Sequence, residues 1–188
     1  MTMPAPVSDS VHLWHDFYVL IGTASATLVG LMFVTATIGA NLFTEANREA
    51  MRAFLSPTVV HFTAVLLVCI VMIIPMRHWT TLAVLLAAGA VGGLVHSVRV
   101  WVQLFVRRAF RVDVVDRLFY ALIPVVAYVL VLVSAALVFM ERALALVVLA
   151  AALMTLLVVG IRNAWDMTTF IVIRTPAVGQ PDPNSPPR

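Results

Sequence analysis

The chain contains no lysine: all twelve of its basic residues are arginine. That absence removes two kinds of chemistry at once, the lysine Schiff base and the lysine of the Walker A phosphate loop. Cysteine is almost missing as well. Cys69 stands alone, so no intrachain disulfide and no redox pair can form. Charged residues are scarce, 11% of the chain where soluble domains carry about 25%. The dinucleotide fingerprint G-x-G-x-x-G, the zincin H-E-x-x-H, a paired C-x-x-C and the G-x-S-x-G elbow are all absent. No enzyme is expected. The pI of about 9.8 would suit nucleic acid, but the net charge is only +3. The arginines have a topological explanation instead, and no nucleic-acid partner is expected.

What is present is hydrocarbon. Hydrophobic residues make up 62% of the 188, mean hydropathy is +1.03, and the apolar residues fall in long uncharged runs, as membrane spans do. The first sixteen residues hold no Lys or Arg, so the positive start of a cleavable signal peptide is missing and the first span is expected to stay as an anchor. An all-α membrane protein follows, a bundle of about five transmembrane helices at roughly 17–43, 57–76, 80–98, 118–140 and 143–161. The third could reach 106 if Arg99 is accommodated inside. Residues 1–16 form a polar outer segment, with His12 to Tyr18 mixing aromatics and polar groups as at a headgroup boundary. Between spans 1 and 2, Phe43, Ala46, Ala50 and Phe54 recur at helical spacing, suggesting one or two turns on the membrane surface. Pro57 is expected to open span 2. Residues 17–166 make one transmembrane domain and 167–188 a cytoplasmic tail. Five prolines after Thr175 make that tail's end disordered.

The arginines orient the bundle. With five spans, Arg77 and Arg142 share one side with the N-terminus. Arg48, Arg52, Arg99, Arg107, Arg108, Arg111, Arg117, Arg162, Arg174 and Arg188 share the other. Ten against two places the N-terminus outside and the C-terminus in the cytoplasm. The expected location is the cell membrane, multi-pass, as in a bacterial inner membrane.

Lipid supplies no hydrophobic force between helices, so small residues must let them approach. Gly22, Ala26 and Gly30 repeat every four residues in span 1, and Gly89 and Gly93 repeat the device in span 3. They serve packing within one subunit or an interface between subunits. Five helices leave little room for a private cavity, which points to a homo-oligomer.

Polar groups inside lipid are costly, and each is a candidate for function. His96, Arg99 and Gln103 fall on one face of span 3. They mark either the point where the helix leaves the bilayer, with Arg99 snorkelling, or a cationic inner mouth. Tyr120 and Tyr128 flank Pro124 in span 4 and could line a polar path beside a kink, or simply meet a neighbour. These five residues are the candidate pore or substrate lining. Arg162 and Asp166 at the cytoplasmic end of span 5, with Asp113, Asp116 and Arg117 in the loop between spans 3 and 4, make a charge network that fixes loops or gates.

Metal readings are alternatives. His12, His15, Asp16 and His78 gather near the outer surface, as ligands or as interface anchors beside Trp14 and Trp79. His61 and His96 lie at similar depth on adjacent antiparallel spans, where facing histidines could hold a b-type haem or each bond a tyrosine or backbone carbonyl. His61, Cys69, Met72 and Met76 share one face of span 2, a set suited to a soft ion. Met72 and Met76, with the Gly89-x-x-x-Gly93 of span 3, partly resemble the high-affinity copper transporter family, trimers with an outside N-terminus. The resemblance implies copper. Pro75 stands between the methionines, however, that family has three spans, and its Met-rich first segment is reduced here to Met1 and Met3. No cofactor is expected, with copper and b-type haem as the alternatives.

The expected function is a small oligomeric channel or transporter for an ion or small solute. The alternatives are an accessory or scaffold subunit of a larger membrane complex, and a haem- or copper-binding membrane subunit. Partners are the bilayer, further copies of the chain and other membrane proteins.

Overall fold

The computed structural model describes residues 12–38, 45–75, 78–106 and 122–174. Within them the regular structure is helical: a 3-10 turn at His12–Trp14, then α1 (His15–Ile38), α2 (Glu45–Ile73), α3 (Trp79–Val106), α4 (Ile123–Phe139) and α5 (Leu144–Arg174). Three stretches, His15–Ile38, Trp79–Val102 and Leu144–Asp166, are long and apolar enough to cross a membrane. A 24-residue helix such as α1 reaches about 36 Å at 1.5 Å per residue, against a hydrocarbon layer of about 30 Å. The apolar parts of α2 and α4, Pro57–Ile73 and Ile123–Phe139, are shorter.

The helices run further than the hydropathy pattern suggests. α2 does not begin afresh at Pro57 but passes through it from Glu45. An internal proline removes one backbone bond and crowds the carbonyl four residues back. Neighbouring helices can absorb that strain, and Pro57 and Thr58 are both buried. α3 continues past Arg99 to Val106, and α5 past Ile161 to Arg174. Neither extension contains Gly or Pro, so nothing in the backbone stops the helix where the charge begins.

The turn between α4 and α5 is specified by its backbone. The Arg142 N–H bonds the Leu137 carbonyl at 2.9 Å and the Glu141 N–H bonds the Val138 carbonyl at 2.9 Å. Glu141 between them takes the left-handed conformation, φ 54°. This is a Schellman cap with glutamate in the position usually held by glycine. The Ser134 hydroxyl then donates to the Ala145 carbonyl at 2.8 Å, tying the two helices beside their turn.

α2, α3, α4 and α5 form a four-helix ring, with α3–α4 and α4–α5 the closest pairs. α1 lies against α2 and touches α5 lightly. The core between them is almost entirely apolar, with Phe62 and Val65 from α2, Leu86 from α3, Val131 from α4, and Leu149 and Leu153 from α5. The outside is apolar too: Leu20, Phe33, Leu67, Val84, Val126, Phe139 and Val158 are all exposed. Apolar surface on every helix suits contact with lipid or with another protein. Four hydroxyls on that surface are turned inward upon their own backbone. Thr27 donates to the Thr23 carbonyl, Thr35 to Leu31, Thr37 to Phe33 and Thr155 to Ala151, at 2.7 to 3.1 Å. A threonine bonded to its own helix asks nothing of its surroundings.

Candidate functional site

The polar interior is concentrated towards the end of the bundle opposite the Glu141 turn. Its centre is His61 on α2, 1% exposed. Its Nδ1 lies 3.0 Å from the Tyr128 hydroxyl of α4, with ring centroids 5.7 Å apart. Two glycines make the approach possible. A Cβ on Gly93 of α3 would run into the Tyr128 ring, and one on Gly160 of α5 would run into the ring of Phe62. Phe62 follows His61 directly, and its carbonyl accepts a 2.6 Å bond from the Ser25 hydroxyl of α1. Four helices beside α2 thus fix one short stretch of it.

The second imidazole is His96, on α3. It is half-buried and lies one turn beyond Gly93, which meets the Tyr128 ring. The Nε2 atoms of both histidines are buried without a hydrogen-bond partner, and so is the Ser97 hydroxyl. Natural interiors rarely leave such groups unmet, and each unmet group costs about 1–3 kcal/mol. Thr58 and Asn163 are fully buried in the same part of the bundle. Arg162, Asn163 and Asp166 carry buried side-chain atoms and have partners of their own.

An apolar cavity of about 290 Å³ adjoins this cluster. It lies between α2 and α3, where Ala64 and Val68 face Gly89 and Ala90, with Tyr128 and Leu156 behind them. His61 lies three residues before Ala64, and His96 seven after Gly89. On helices of 3.6 residues per turn, both therefore continue the cavity-lining stripes. The Tyr128 ring belongs to the cavity wall while its hydroxyl belongs to the polar cluster.

The structure distributes the sequence-derived candidates unevenly. It brings His96 and Tyr128 to one place and adds His61. Arg99 is exposed on the outside of the bundle. Gln103 sits on α3, its side chain outside the described residues, as are Tyr120, Met76, Asp113, Asp116 and Arg117. Gly22 meets Cys69 of α2, whereas Gly30 and Gly89 face open space and Ala26 is exposed. His61 turns to α4 while Cys69 turns to α1, so these two members of the soft-ion set point to different neighbours; Met72 is buried. His15 and Asp16 form a 3.3 Å pair between adjacent exposed residues, and His78 is exposed. The side chain of His12 lies outside the described ones. Among the described residues no three His, Cys, Asp or Glu side chains converge as a metal site would require.

Three contributors escaped the sequence. Ser25, Ser97 and Gly160 are single small residues in apolar runs, and nothing local distinguishes them from neighbouring alanines. Compared with protein-family models, curated proteins and solved structures, the chain matches none, so its site is read from its own geometry.

Proposed function

We propose that the chain is a five-span integral membrane protein, N-terminus outside and C-terminus in the cytoplasm, acting as a small homo-oligomeric transporter or channel for an ion or small solute. The observation that carries this reading is His61: a titratable side chain held in an apolar interior by Tyr128, with its second nitrogen unpartnered. Such a group inside a bilayer is expensive and marks a pathway by default. The membrane placement is supported by three long apolar helices, by apolar side chains on every outward face and by the arginine distribution. Trp14 and Trp79, at the helix ends opposite the histidines, suit an outer aromatic belt.

Two features favour an oligomer and a mechanism that opens. α1 presents Thr23, Ala26, Thr27 and Gly30 on its exposed side, a small-residue face on which another helix can lie close. The half of the bundle towards the Glu141 turn is filled by apolar side chains such as Leu146, Leu149 and Val138, which favours a gated path over a standing pore. Arg99, exposed on α3, would stand at the inner mouth between subunits, where a fixed cation favours anions. The test is flux from liposomes holding the purified protein, comparing the natural chain with Tyr128→Phe and Arg99→Ala. Loss of flux in the first and altered ion preference in the second are expected. Identical flux from all three, or none from any, rejects the reading.

The same small-residue face of α1 suits a second reading, a subunit docked on another membrane protein. That reading requires a foreign chain in the intact complex released by mild detergent, and no flux from the protein alone.

A further inference from the structure

We propose that His61 and His96, with Tyr128, form a proton-exchange couple, so that protons move through this site. The inference rests on the transport reading above and names its moving species. It starts from geometry. His61 Nδ1 is engaged by the Tyr128 hydroxyl at 3.0 Å, while its Nε2 and the Nε2 of His96 are both buried and unpartnered. The two rings come from adjacent helices on either side of Tyr128: His61 bonds its hydroxyl, and His96 lies one turn beyond Gly93, which meets its ring. An imidazole can take a proton at one nitrogen and release one from the other. With the Tyr128 O–H donating to Nδ1, the His61 proton resides on Nε2, on the side away from Tyr128.

The step balances without any further reagent. His61 gives its Nε2 proton to the unprotonated Nε2 of His96 through a bridging water, and takes a proton at Nδ1 from the Tyr128 oxygen. A proton arriving through that water at the vacated Nε2 of His61 replaces the one passed on, and Nδ1 then returns its proton to the Tyr128 oxygen. His96, now carrying both ring protons, releases the one on Nδ1 towards the end of the bundle that holds Arg99. No bond between heavy atoms changes and nothing is oxidised.

The surroundings suit this role better than the alternatives. A structural histidine would have both nitrogens met. A metal centre would need more donors, and no third His, Cys, Asp or Glu joins the pair among the described residues. The charged and titratable groups at this level are few. α3 brings His96 and Arg99, α4 brings Tyr128, and α5 brings Arg162 and Asp166, which have partners of their own. α1 brings only the Ser25 hydroxyl, which is committed to the Phe62 carbonyl. Only the imidazoles combine exchangeable protons with unclaimed ring nitrogens.

The experiment pairs two readouts on the full chain in lipid. Proton uptake is followed with a pH-sensitive dye inside liposomes under an imposed membrane potential, and ¹⁵N-histidine NMR follows protonation at each ring. Proton flux is expected to fall on the order of tenfold or more in His61→Gln and in His96→Gln, and to fall also in Tyr128→Phe, which keeps the ring and its packing. His96→Gln is further expected to move the pH at which His61 takes up its proton. Unchanged proton flux in all three variants overturns the proposal, as does stoichiometric copper or haem binding that requires both histidines. The two readings fail separately. Solute flux that is indifferent to these variants and to pH, but changes its ion preference in Arg99→Ala, removes the proton couple and leaves transport standing. Proton flux that depends on both histidines, with no flux of any other ion or solute, supports the couple and removes solute transport.

Discussion

The two ends of the bundle solve the same problem in opposite ways. At the end that holds the Glu141 turn, buried polar groups are few: Ser134 holds the Ala145 carbonyl, the cap closes through Glu141 and Arg142, and only the Tyr18 hydroxyl is without a partner among the described residues. At the other end His61, His96 and Ser97 bring buried polar atoms that the protein leaves unmet. Since each unmet group costs about 1–3 kcal/mol, the second end is less stable than its packing would allow. A fold assembled for stability alone would resemble the first end throughout. The unmet atoms gather at the histidine end, which is why the proposed site is placed there.

Four substitutions sharpen that contrast, beginning with the largest effect. Gly93→Val drives a side chain into the Tyr128 ring. It is expected to cost about 1–3 kcal/mol in reversible unfolding from detergent and to abolish flux, because the His61–Tyr128 bond goes with it. Ser134→Ala at the quiet end removes an inter-helix bond and is expected to cost about 0.6–1.7 kcal/mol with flux unchanged. If flux falls there too, the two ends are not functionally distinct. Glu141→Gly acts in the other direction. It relieves a left-handed glutamate and should stabilise by about 1 kcal/mol, seen as a raised melting temperature. Smallest of all is Ser97→Ala, which deletes an unpartnered hydroxyl and is expected to be neutral or slightly stabilising. A loss above about 1 kcal/mol would mean that this hydroxyl is met after all.

Gly89 and Gly93 show how far the sequence could be read. They form one four-residue repeat on α3 and look equivalent on paper. In the fold a Cβ on Gly93 would strike Tyr128, while one on Gly89 meets nothing within 4 Å and opens on the cavity. One glycine is required for contact and the other leaves room. Span 1 divides the same way, Gly22 lying on Cys69 and Gly30 facing outward. A spacing motif reports that close approach is possible; only the partner helix decides where it happens. The central pair was hidden for a related reason. His61 and Tyr128 are 67 residues apart, and His96, spaced with Arg99 and Gln103, suggested a polar stripe along a single helix. In the fold His96 keeps a buried nitrogen while Arg99 is exposed, so the stripe divides at the bundle edge.

α1 and α5 complete the comparison. Both are long and apolar enough to cross a membrane, yet 56% of the apolar stretch of α5 is buried inside the protein and only 28% of that of α1. Hydropathy could not separate them, because lipid and a helix-bundle core are both hydrocarbon. By itself the sequence determined the helical class, the apolar runs and the chemistry this chain lacks. Those properties follow from composition and local periodicity, which each segment carries alone. The tertiary structure decided which helix is central, which glycine touches a ring, and which histidine nitrogens are left without a partner. Those outcomes depend on contacts between segments far apart in the chain, and no short stretch of sequence contains them.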